Sequence, residues 1–149
     1  MKETYVSRLH DLARAQQDSH VDLVAIVPGA NLRYLTGLEM HTSERITLAL
    51  FPVDGQPLFV LPVLEALRAQ ADLGIEASFS TYTDDQGPGP AFEEAASRLD
   101  LRGKVIGVEH LQMRVLELRQ LERQAAGASF VEAETLLSGL RIVKDQEEI

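Results

Sequence analysis

The chain has 149 residues, 45% of them hydrophobic, with 23 acids against 14 bases and a formal net charge of −9. That apolar content suffices for one packed domain and is too high for a disordered tail. The acidity argues against non-specific nucleic-acid binding and against adsorption to anionic membranes. Cysteine is absent, which excludes disulfides, thiolate nucleophiles and Cys-based metal sites and fits a reducing cytoplasm.

Tyr5, Val6, Leu9, Leu12 and Ala13 fall at helical spacing, so an amphipathic helix is expected up to about Gln17. Residues 21–27 (VDLVAIV) are rich in β-branched side chains and read as a buried strand, ended by Pro28 and Gly29. Residues 31–36 fit a short helical turn closed by Gly37 at the position after the cap. Two apolar runs, 46–51 and 58–61, flank PVDGQ, and Asp-Gly between such runs signals a hairpin. Val63, Leu64, Leu67 and Ala71 then suggest a helix stopped by Gly74, and a strand follows to Tyr82.

Residues 83–90 (TDDQGPGP) read as a loop, and Pro90 sits where a helix carrying Phe92, Ala95, Ala96 and Leu99 can begin. KVIGV at 104–108 is a further strand. Leu111, Val115, Leu118 and Leu121 mark a long helix, 129–132 a short strand and 134–140 another helix. Asp145 with Glu148 three residues on reads as a fresh helix start, its core-facing Ile149 being the last residue. One hairpin followed by alternating helices and strands implies an α/β fold, a mixed sheet of about five or six strands with helices on both faces.

Catalytic chemistry is hard to find. No two of His10, His20, His41 and His110 have the spacing that stacks imidazoles on one helical face. Glu93 and Glu94, like Glu147 and Glu148, are adjacent on helices and point in different directions. No serine lies in a G-x-S-x-G elbow. The GPGP run before a helix lacks a following Lys-Ser/Thr, and its prolines remove the N–H donors that cradle phosphate. What stands out is the polar string EMHTSER at 39–45, which gathers Glu39, His41, Glu44 and Arg45 between a Gly-ended turn and a strand. Recognition residues are found on such loops more often than in cores, although a plain solvated loop has the same composition.

Four strings, in order, carry a resemblance. NLRYLTG at 31–37, the strand led by Glu44 and Arg45, IGVE at 106–109 and LRIVKDQEEI at 140–149 resemble the N-terminal domain of the creatinase/prolidase family. The resemblance implies a non-catalytic domain spanning 1–144 of an Xaa-Pro dipeptidase-, aminopeptidase P- or creatinase-like enzyme, with 145–149 opening the first helix of a missing metallopeptidase domain. That second domain would hold two divalent metals, Mn or Co, on its own Asp, His and Glu residues; none is assigned in this chain. It further implies homodimer contacts and a loop laid over the partner subunit's active site, so Arg45, Glu44, His41 and Glu39 become candidates for meeting short peptide substrates. Arg45 could grip a substrate carboxylate bidentately, which Lys cannot; the competing role is an ion pair with Glu44 or Glu39. Asn31, Tyr34, Thr36 and Gly37 would be structural, Asn31 as a turn cap, Tyr34 as a packed ring and Gly37 as a positive-φ stop. Members of the family often show an Asp and a His shortly before Glu-Arg, where this chain has His41 and Ser43, so a strict dipeptidase pocket does not follow. The alternative is a free-standing, non-enzymatic assembly or binding module of the same fold.

Overall fold

The computed structural model describes the backbone of residues 2–148, with side chains for 3–142. In chain order the elements are α1 (Lys2–Ser19), β1 (Leu23–Ile26), α2 (Ala30–Thr36), β2 (Leu48–Pro52), β3 (Leu58–Pro62) and α3 (Val63–Asp72). The second half holds β4 (Ser78–Tyr82), α4 (Gly89–Leu99), β5 (Val105–Val108), α5 (Val115–Gln124), β6 (Ser129–Glu132) and α6 (Glu134–Glu148).

The strands form one six-stranded sheet in the order β4-β3-β2-β1-β5-β6. Strand β2 is antiparallel to both neighbours, reached from β1 through α2 and the 37–47 segment and joined to β3 by a short turn, while β3–β4, β1–β5 and β5–β6 are parallel. Side chains alternate across the pleat. Leu23, Ala25, Leu48, Leu50, Leu58 and Val60 face one core, and Val24, Ile26, Ala49, Phe51, Phe59 and Leu61 face the other. Phe92, Ala95 and Leu121 of α4 and α5 close the first core; Leu12, Leu32, Leu35 and Leu137 of α1, α2 and α6 close the second. Burial on both faces explains why the central strands read as continuous apolar runs.

Three expectations change. The apolar residues of α3 point the wrong way: Leu64 is 87% and Leu67 76% exposed, Val63 is also exposed, and Ala66 and Ala69 face the sheet. Alanines let the helix lie close to the strands, and the large side chains are left outside. Leu111 precedes α5 and is exposed, as is Val115, so the long helix expected there begins later and buries chiefly Leu121 and Glu117. Finally, α6 runs unbroken from Glu134 to Glu148. Asp145 therefore lies inside a helix and does not open one; Ile149, expected to be the first core residue of a new helix, lies outside the described residues.

Candidate functional site

In an open sheet of this kind, the crevice between neighbouring parallel strands whose connections leave in opposite directions is the usual ligand site. Here β1 and β5 are those strands, and the crevice is filled. Glu109, directly after β5, is fully buried. Its Oε1 accepts the Val27 N–H at 2.7 Å and its Oε2 the Asn31 side-chain amide at 2.8 Å. Burial raises its carboxyl above the ordinary glutamate range, with the Asn31 and Val27 donors pulling the other way. Asn31 is thus structural but not a turn cap: α2 is capped by Gly29 without a side-chain bond, and Asn31 instead ties α2 to the end of β5.

The rest of the 31–37 motif is also architectural. Thr36 Oγ1 donates to Leu32 O at 2.7 Å and accepts the Leu38 N–H at 3.1 Å. Gly37 has φ 79°, and a Cβ there would lie 3.0 Å from the Tyr5 ring. The Tyr34 ring packs under the Arg8 guanidinium at 4.0 Å, and Arg8 Nη1 donates to Tyr34 O.

Residues 37–47 carry no helix or strand. Glu39, His41, Glu44 and Arg45 are all exposed on this segment. His41 and Arg45 line a shallow cavity of about 180 Å³ with Met40, Thr47, Glu65 and Arg68. Arg68 Nη2 reaches the Glu39 carbonyl at 3.4 Å. Glu39 and Glu44 are not the ion-pair partners of Arg45. That partner is Asp84, in the loop before α4: Nε donates to Oδ1 at 2.9 Å and Nη2 to Oδ2 at 2.8 Å. The pairing holds Asp84 below the usual carboxylate range and raises Arg45 further. Both side chains are more than half exposed, so solvent and salt screen the pair strongly.

A second tether reaches the loop at Ser43. Glu117 is 1% exposed, and Arg114 caps it through Nε, Nη2 and its backbone N–H. The remaining Nη1 donates to Ser43 O at 2.6 Å. Ser43 Oγ in turn accepts the Arg45 N–H at 3.2 Å. Asp84, Arg114 and Glu117 were not legible as loop anchors, because each lies far along the chain from the residue that it orders.

A larger groove, about 520 Å³, lies elsewhere, between α1 and the β2–β3 hairpin, where aliphatic residues mix with His10, Gln16, Gln56 and Glu76. Among the described residues no three His, Asp or Glu side chains group so as to hold a metal ion. No helix among them is long and apolar enough to cross a membrane.

The fold is a mixed α/β sheet with Glu109 buried at the end of β5 and an exposed polar loop leading into β2. The chain belongs to the creatinase/prolidase N-terminal domain family, whose model matches residues 8–143. It is 30% identical over 119 residues to the putative dipeptidase YkvY of Bacillus subtilis, covering 80% of this chain and 32% of that protein. It is 39% identical over 87 residues to the probable dipeptidase PepE of Mycobacterium tuberculosis, covering 56% of this chain and 23% of that one. The crystal structure of dipeptidase PepE from Mycobacterium ulcerans superposes with a TM-score of 0.81 at 29% identity, over 95% of this chain and 38% of that chain. An isolated domain of this superfamily, from a dipeptidase of Streptococcus thermophilus, gives 0.79 at 19% identity and is covered over 98% of its length, which bears on the fold alone. The chain thus spans about a third or less of the curated relatives that it matches.

Proposed function

We propose that this chain is the non-catalytic N-terminal domain of a cytoplasmic Xaa-Pro dipeptidase- or aminopeptidase-type metallopeptidase, spanning 1–144, with 145–149 leading into the catalytic domain. The two divalent metals, Mn or Co, belong to that second domain, as does the cleavage chemistry. The N-terminal domain contributes homodimer contacts and lays the 39–45 loop over the partner subunit's active site, where it meets short peptides. The observation that supports this reading is the loop itself: in a family whose named relatives are dipeptidases, it is exposed, lacks regular structure and ends in the exposed guanidinium of Arg45.

The test is turnover by the full-length enzyme. Arg45→Ala should lower kcat/KM about ten- to a hundred-fold for short peptides with a free C-terminal carboxylate, the loss expected for one charged hydrogen bond. Amidated peptides should lose little. Asp84 occupies the fork that a substrate carboxylate would use, so Asp84→Asn should lower KM for the same carboxylate peptides. Equal losses on both peptide types, with Asp84→Asn behaving like Arg45→Ala, would make the pair a purely structural link.

A further inference from the structure

We propose that Arg114, fixed by the buried carboxylate of Glu117, is the positioning residue for the 39–45 loop; its bearing on substrate rests on the function proposed above. A buried carboxylate needs a cation and hydrogen-bond donors around it. Arg114 supplies both, and in doing so loses its rotational freedom. A guanidinium is planar and rigid, so fixing Nε and Nη2 on Glu117 also fixes the direction of Nη1. That third donor meets Ser43 O, 71 residues away in sequence, at 2.6 Å. Ser43 Oγ passes the constraint to the Arg45 backbone. Position is therefore handed from the start of α5 through Ser43 to the Arg45 backbone, whereas Asp84 pairs only with the Arg45 side chain. The segment 37–47 forms no sheet ladder; its ends are held by buried Leu38 and Ile46 and by Tyr82 Oη on Ile46 O at 2.8 Å, so the Arg114 bond governs the exposed stretch around Ser43.

The bland alternative is that Arg114 only closes the first turn of α5. Arg114→Lys separates the two roles. An ammonium can still neutralise Glu117, but it cannot also span to Ser43 O. Amide hydrogen exchange at residues 43–45 should then rise about tenfold or more, the scale of one lost charged hydrogen bond, while exchange within α5 and the unfolding midpoint stay near wild type. Glu117→Gln removes the charge that orients the guanidinium, and should speed exchange at 43–45 although residue 117 bonds no loop atom. In the full-length enzyme, Arg114→Lys should raise KM for carboxylate peptides and leave kcat unchanged. Loop exchange that stays at the wild-type rate in both variants, with only α5 loosened, overturns the positioning role. Faster loop exchange with unchanged peptide kinetics upholds that role and overturns instead the reading that the loop meets substrate.

Discussion

Glu109 ionises where water does not reach. Its oxygens are used by Val27 and Asn31, so the carboxylate is satisfied, yet burial still raises its pKa. In the unfolded chain the same carboxyl loses its proton at lower pH. The contribution of Glu109 to stability is therefore fully present below the ordinary glutamate range and is lost as pH rises through the raised folded value. Glu109→Gln cannot titrate. The difference in unfolding free energy between wild type and Glu109→Gln, followed by urea denaturation, should shrink as pH rises through this window and then level off. A difference that stays flat with pH would mean that the Val27 and Asn31 donors fully offset the burial.

The turn after α2 needs Gly37 for two reasons. Its φ of 79° is in the left-handed region, and the Tyr5 ring lies 3.0 Å from where a Cβ would go, so the ring would have to shift. Gly55, in the β2–β3 turn, has φ 94° but nothing within 4 Å of its would-be Cβ. Gly55→Ala should thus cost the backbone strain alone, about 1–2 kcal/mol, and Gly37→Ala clearly more, by denaturant titration of both. Equal losses would mean that the Tyr5 ring yields freely. Gly37, like the apolar strand runs, could be read locally: a helix stop and a short β-branched run are properties of neighbouring residues. Asn31 could not, because its partner Glu109 lies 78 residues on. Neither could the Arg45–Asp84 pair or the Arg114–Ser43 bond, which span 39 and 71 residues. In α3 the local pattern misled, since periodicity finds the apolar stripe but does not say which way it points. The unbroken course of α6 through Asp145 has the same lesson: a capping pattern opens a helix only where the chain is not already helical.

For the whole molecule, the consequence lies on α3. Leu64, Leu67 and Ala71 form one outward stripe, and neighbouring large apolar side chains on water are a common mark of association. Beside the stripe lie Glu65 and Arg68, joined only loosely at 3.8 Å within the chain. Two copies of α3 packed antiparallel about a two-fold axis keep this charged flank on the same side. Glu65 of each copy can then approach Arg68 of the other while the leucines interdigitate, as a self-complementary interface requires. The net charge of −9 opposes close approach, so the association should strengthen as salt screens it. Sedimentation at increasing protein concentration should show a dimer, and the double substitution Leu64→Glu, Leu67→Glu should return it to monomer. Circular dichroism and the unfolding midpoint of the variant's monomer should stay close to wild type, because neither side chain contributes to a core. A wild-type chain that sediments as a monomer at high concentration and high salt would remove α3 as the contact, and a dimer indifferent to both substitutions would move it to another face.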